Sequence, residues 1–493
     1  MLKMRNLKLS AVFILFTVME LAIFSGCDLD VPSTNPLSQQ TPATKGVSTG
    51  ENRNLLFIPP ILDDKDPGQS EAKFELTVRK SSKEFFPGKK TETYGYNMDY
   101  LGPTIRVKNG EHVNVKVINT LTEETTVHWH GLRVAGEMDG GPQQMILSRN
   151  EWNPNFVISQ PAATLWYHAH PIHKTGNQVY KGLSGLFIID DENSKNLNLP
   201  DDYGVNDIPL IIQDKRFDSE GTMIYKTNMM DIMQGMLGNT ILVNGIVNPV
   251  LEVGTIKTRF RILNGATART FEFRLSDGSV FYQIASDGGL LESPVKMNTL
   301  RLGPGERAEV IIDFSKYSTG EVINLQSPGF KIIDFVITRK ENDITTIPEK
   351  LSIVPRMEES RTIKTRAFDL MGMGLMVNIN GKQMDMARID ETVNHGDTEI
   401  WIIRNVMAGM GPGMGMGGNI AHTFHYHGVQ FQVLSRDGRK PPLNEQGWKD
   451  TVLVNPNETV KVISTFDHKG LFMYHCHILE HEDAGMMGQF EVK

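Results

Sequence analysis

Apolar residues recur at every second position along much of the chain, as at Ile105 and Val107 and again at Val113, Val115 and Val117 beyond the turn Asn109-Gly110. Alternation with period two marks a strand with one buried face, because successive side chains of an extended chain point to opposite sides. Long helical periods are scarce, so the pattern predicts an all-β protein. One segment returns: GEHVNVKVIN at Gly110–Asn119, GTIKTRFRILN at Gly254–Asn264 and GDTEIWIIRN at Gly396–Asn405. Each is a turn followed by an alternating strand that ends at Asn. The starts lie 144 and 142 residues apart, the size of one β-sandwich domain with its connections. Three copies of one sandwich are expected.

A length of 493 residues accommodates three domains. With 22% charged and 40% hydrophobic residues, 24 Pro and 45 Gly, the composition is that of an ordinary folded protein, which excludes a disordered chain, collagen and a multi-span membrane protein. Against 58 acidic residues stand 50 basic ones, a net charge of -8, so the broad basic field that nucleic-acid binding requires is missing. No nucleic-acid partner is expected. Two cysteines, Cys27 and Cys476, allow at most one disulfide.

The N-terminus reads as an address. Lys3, Arg5 and Lys8 precede the apolar run AVFILFTVMELAIFSG, which Glu20 interrupts and which is short for a membrane span. This order predicts an exported protein, periplasmic or otherwise extracytoplasmic. FSGC resembles a bacterial lipobox with Phe24 in place of the usual leucine; the resemblance implies a lipoprotein-type signal peptide at residues 1–26 with Cys27 lipidated as the membrane anchor, the alternative being a plain cleaved signal with Cys27 lost or free. Residues 27–53, rich in Pro, Ser, Thr and Gly, read as a flexible tether. The three sandwiches then span residues 54–195, 196–350 and 351–493. The chain is expected to act as a monomer.

A second echo joins the first and third copies only. HWHG at 128–131 returns as HYHG at 425–428, WYHAH at 166–170 as MYHCH at 473–477, and GLSGLFI at 182–188 as GMMGQFEV at 485–492. No histidine lies between His173 and His395, so the middle copy is expected to be a spacer. Four His-x-His pairs result: His128 and His130, His168 and His170, His425 and His427, His475 and His477. On a strand, residues i and i+2 share a face, so each pair can present two imidazoles to one place. Imidazole suits zinc, copper, iron and nickel alike. The surroundings of the last pair decide among them. Two histidines, His422 and His481, with the thiolate of Cys476 and the thioether of Met486 form the donor set of a blue-copper electron-transfer centre, in which the methionine is a weak axial ligand. Cys476 lies between His475 and His477 and points away from both, so one three-residue segment joins two metal sites. In the first copy Ala169 replaces the cysteine, and that copy lacks a mononuclear site. His112, His173, His395 and His468 match no motif and are assigned surface or supporting positions.

On these motifs residues 55–493 resemble the multicopper oxidases, most closely the bacterial copper efflux oxidases and their laccase-like and bilirubin-oxidase-like relatives. The resemblance implies three cupredoxin-like Greek-key β-sandwich domains and four copper ions. It places type 1 copper on His422, Cys476, His481 and Met486, and type 2 copper on His128 and His425. The type 3 pair is implied on His130, His168 and His477 and on His170, His427 and His475. Two further family positions are occupied by Asp139 in GEMDGGPQ and by Glu482 after His481. The resemblance implies that they relay the four protons consumed when dioxygen becomes two waters.

Methionines concentrate at 223–236, 371–386 and 407–416. Thioethers favour Cu(I), so a chain exported to an oxidising surface suggests cuprous ion as reductant, in copper tolerance. The loop AGMGPGMGMGG, with Met407, Met410, Met414 and Met416, runs directly into His422 and is the candidate substrate loop. Met229, Met230, Met233 and Met236 have helical spacing and are expected to form a buried face. The long Met- and His-rich insertion of the copper efflux pattern is missing, and Gly418, Asn419, Ile420 and Ala421 stand before His422 where acidic or thioether ligands are expected. A laccase-like oxidase of phenols or other aromatics is the alternative, and a non-catalytic copper-binding envelope lipoprotein a distant one.

Overall fold

The computed structural model describes residues 54–68, 71–372, 374–406 and 420–493. Cys27 and the four methionines of the 407–416 loop lie outside the described residues. The strands form three pairs of sheets, drawn from residues 71–190, 207–339 and 364–492. Each pair encloses its own apolar core, the first around Trp129 and Phe187, the second around Phe260 and Phe335, the third around Trp401 and Phe424. The fold is all-β, with three cupredoxin-like sandwiches.

The three repeated segments become the strands His112–Asn119, Lys257–Asn264 and Thr398–Asn405. Each lies parallel to the first long strand of its sandwich: Glu71–Phe86, Asp207–Lys215 and Lys364–Met371. The terminal Asn is explained by what its buried side chain ties down. The Asn119 amide donates to the carbonyls of Glu123 and Ile146 and accepts from the amide of Leu121. Asn264 does the same with Arg269, Leu302 and Ala266, and Asn405 donates to Ile420 and Val454. Away from water, backbone groups at a strand end must find partners, and an amide supplies donor and acceptor together. The turn glycines of the first and third copies, Gly110 and Gly396, each take a φ of +86°, a conformation that costs glycine little.

In the first sandwich, the sheet nearest the third runs Ile105–Lys108, Ser184–Asp190, Ala163–His168, His128–His130. Its counterpart in the third sandwich runs Glu391–Val393, Met487–Val492, Gly470–Cys476, His422–Tyr426, Thr451–Val454. In both, the two histidine-bearing strands are antiparallel neighbours, with His128 opposite His168 and His425 opposite His475. A short helix, Leu479–Asp483, follows the last His-x-His pair.

The helix Met229–Gln234 departs from expectation. Met229 and Met230 are more than half exposed; among residues of this helix the buried one is Asp231, which pairs with Arg216 and caps the helix with Asn228. The polar anchor, not the methionines, faces inward, and only Met236, beyond the helix end, is fully buried.

Candidate metal centres

All eight histidines of the four pairs are buried, and strand geometry distributes them differently from the simplest expectation. In three pairs the second histidine lies just past its strand: His168 ends one strand, Cys476 another and Tyr426 a third. The chain turns there, so the two imidazoles of a pair enter different groups. The sets brought together are His130, His168 and His477; His170, His427 and His475; and His128 with His425 beside His130. Within each set the ligand atoms lie within 4.8 Å of one another.

In the second set the Nε2 atoms of His170 and His427 each stand 3.2 Å from Nε2 of His475. Their Nδ1 atoms face acceptors instead. Asp139 Oδ2 lies 2.7 Å from Nδ1 of His427, and the two oxygens of Glu482 lie 3.2 Å from Nδ1 of His170 and 3.1 Å from Nδ1 of His475. A carboxylate behind an imidazole fixes its tautomer and turns the opposite nitrogen toward the centre. His128 follows the same rule, with Nδ1 2.9 Å from the Asp139 carbonyl and Nε2 3.5 Å from Nε2 of His425. The rings also stack, His128 on His427 at 3.8 Å and His130 on His425 at 3.7 Å between centroids.

Beyond the Cys476 side of the same strand lies the fourth set. His422 Nδ1 is 3.3 Å and His481 Nδ1 3.7 Å from Cys476 Sγ. Met486 is buried beside them, its amide donating to the His481 carbonyl and its carbonyl accepting from the Cys476 amide. Three successive residues, His475, Cys476 and His477, thus enter three different sets.

Burial holds His130, His168, His170, His422, His425, His427 and His477 well below the ordinary imidazole range, with neighbouring imidazoles lowering them further, and it lowers His481 to about 4. These rings are neutral, the form that binds metal. Burial pushes the Cys476 thiol up to about 12. Lone pairs converging at 3.2 Å repel one another unless a cation lies between them. Both ring nitrogens of His477 and Nε2 of His481 are buried without a hydrogen-bond partner. A metal ion satisfies one nitrogen of each ring through its lone pair, and imidazole with thiolate and thioether fits copper.

The other histidines stay apart. His112 pairs with Glu71, His173 meets the Asp483 carbonyl, and His395 meets the Asp467 carbonyl. His468 is partly exposed. Sequence reading missed Asp450, Thr451 and Arg307. Asp450 Oδ1 is 3.1 Å and Thr451 Oγ1 2.9 Å from His130 Nε2, and the Asp450 carbonyl is 2.8 Å from His425 Nδ1. The only trace in the sequence is the pair Asp450-Thr451 opening a strand that lies opposite the HYH strand, and pairing of strands is not readable from spacing.

Models described as multicopper oxidase match residues 77–194 and 352–493. A protein named multicopper oxidase mco, from Staphylococcus haemolyticus, is 42% identical over 448 residues, spanning 91% of this chain and 94% of its own. The cell division protein FtsP of Xenorhabdus nematophila is 35% identical over 458 residues, spanning 89% of this chain and 92% of its own. Among solved structures, a laccase from Pediococcus acidilactici is similar with a TM-score of 0.84 at 38% identity, covering 91% of this chain and 95% of that one.

Proposed function

The chain belongs to the multicopper oxidases, and from that premise we propose that it oxidises a reducing substrate, Cu(I) foremost, one electron at a time and reduces dioxygen to two waters. The observation that carries this reading is the run His475-Cys476-His477, which links the thiol-bearing set to both histidine triads within three residues. In the proposal, His422, Cys476, His481 and Met486 hold type 1 copper and His128 with His425 hold type 2. The triads His130, His168, His477 and His170, His427, His475 hold the type 3 pair. Copper so bound supplies one-electron redox chemistry at the first site and dioxygen reduction at the others.

The chain's own residues do the rest. Cys476 and its backbone form the path from the first site to His475 and His477. Asp139 and Glu482, each 2% exposed or less, sit behind the imidazoles as carboxylates able to hold and pass protons, and Asp139 Oδ1 has no partner. The surrounding core excludes bulk water and limits escape of partly reduced oxygen.

Support for Cu(I) comes from thioethers. Met229, Met230, Met376 and Met386 are exposed, and the helix bearing the first two packs against the helix that carries His481. In the proposal Met407, Met410, Met414 and Met416, which precede His422 in the sequence, supply further thioethers for Cu(I). The likeness to a laccase supports the second reading, phenol oxidation at the same copper. Copper tolerance at the cell envelope, with Cys27 lipidated, completes the proposal; among the described residues no helix is long and apolar enough to cross a membrane.

The test is oxygen uptake by copper-loaded protein lacking residues 1–27, with Cu(I) and a phenolic donor at matched concentrations. Faster uptake with Cu(I), reduced by replacing the four loop methionines, supports cuprous oxidation. Preference for the phenol makes the protein a laccase. No uptake with either donor at full copper loading overturns the oxidase reading.

A further inference from the structure

Arg307 belongs to the strand Arg307–Asp313 of the middle sandwich, the copy without a histidine, yet its guanidinium lies fully buried against residues of the other two. Its N–H groups are all engaged. Nη1 and Nη2 each donate to one oxygen of Asp450 at 2.6 Å, in a two-pronged pair. Nε donates to the Thr164 carbonyl, Nη1 also to Gly305 and Nη2 also to the Asp287 carbonyl, each at 3.1 Å. Asp450 in turn receives Gln430 Nε2 and the Thr451 hydroxyl, both at 2.9 Å. Such a carboxylate cannot rotate.

What this rigidity serves is visible at His130. The imidazoles of His128, His168, His425 and His427 turn Nδ1 toward a protein acceptor and leave Nε2 for the centre. His130 is reversed: its Nε2 meets Asp450 Oδ1 and Thr451 Oγ1, and its Nδ1 stands 3.4 Å from Nε2 of His168. A neutral imidazole offers one lone pair, on the nitrogen without the proton. The acceptors at Nε2 therefore decide that Nδ1 is the ligand atom.

We propose that Arg307 is a positioning residue of the trinuclear centre: by clamping Asp450 beside Thr451 it holds His130 in the tautomer and orientation that turn Nδ1 to the metal. This rests on the assignment of His130 as a ligand. The middle sandwich is then a working part of the centre. Gly305, two residues before Arg307, supports the same role, since a Cβ there would stand 3.1 Å from the ring of His477. A lysine at 307 offers a single point charge and cannot make the two-pronged contact while holding three carbonyls.

The experiment adds Cu(II) alone to the metal-free full chain and to Arg307→Lys, Thr451→Val and Thr451→Ser. It reads copper bound per chain, the blue thiolate absorption and the melting temperature of the metal-free protein. The expected result is unchanged blue absorption in Arg307→Lys and Thr451→Val, a lower melting temperature in Arg307→Lys, which leaves buried carbonyls unpaired, and in both about 10–100-fold weaker binding of the remaining copper, with recovery in Thr451→Ser, which restores the hydroxyl. Wild-type binding of all copper in both variants overturns the proposal. So does loss of the blue absorption together with the rest, which marks a general folding role. If Arg307→Lys does not fold, the comparison of Thr451→Val with Thr451→Ser decides, and equal binding by the two overturns it. Wild-type protein that binds copper fully but consumes no oxygen refutes the oxidase reading instead, and leaves this comparison standing because it is read in copper content.

Discussion

Asp139, in the first sandwich, sets its Oδ2 2.7 Å from Nδ1 of His427 in the third, while its carbonyl lies 2.9 Å from Nδ1 of His128. One residue thus addresses an imidazole from each of the two histidine-bearing domains. Its other oxygen is buried without a partner.

Asp139→Asn keeps the shape and removes the exchangeable carboxyl proton. Oxygen uptake should fall about 100-fold, with copper content and blue absorption close to wild type. Uptake and copper per chain measured on the same preparation check this; unchanged uptake would remove Asp139 from the proton path.

Copper binding at the thiol-bearing set should depend on pH through one proton. The Cys476 thiol, pushed up to about 12, is protonated throughout the neutral range, whereas His481, lowered to about 4, and His422, also lowered, are already neutral. Metal must displace the thiol proton, so affinity should rise about tenfold per pH unit between roughly pH 6 and 8. Competition with a chelator, followed by the blue absorption, measures the slope. A flat response would show that the thiol is ionised before metal arrives.

Lys215 is fully buried, with Nζ 2.9 Å from the Tyr180 carbonyl and 3.9 Å from the centre of the Tyr180 ring. Burial lowers its ammonium from 10.5 to about 7. The unfolded chain keeps that proton up to 10.5 while the folded chain gives it up near 7, so this group's contribution to stability rises with pH across that window and is lost as pH falls through 7. Lys215→Met should flatten the rise and stabilise the protein at pH 7 by about 1 kcal/mol. Denaturant unfolding at several pH values tests both effects.

Asn264→Ala should destabilise the middle sandwich by about 2–4 kcal/mol, because it strands the Arg269 and Leu302 carbonyls and the Ala266 amide away from water. Thermal unfolding of the metal-free protein reports it. A loss under 1 kcal/mol would mean that water reaches these groups.

The alternation, the three repeats and the donor types were legible in the sequence because they are local: period two writes a strand, and a repeated segment writes a repeated sandwich. Cys476 between two histidines was legible for the same reason, since three adjacent residues must diverge. The buried methionine face was misread because helical spacing records which residues share a side, and here the side turned inward is anchored by Asp231 and Arg216.

From the sequence alone came the residues with metal-donor chemistry and the fact that the His-x-His motifs lie in the first and third copies. Only the folded structure shows how the pairs divide: strands end at His168, Tyr426 and Cys476, and in those three pairs the chain leaves its strand between the two histidines. It alone placed Asp139 behind His427 and Arg307 behind Asp450, residues 288 and 143 positions apart. Contacts of that kind form when separate sandwiches pack, and neither period nor spacing along one chain carries the geometry of packing.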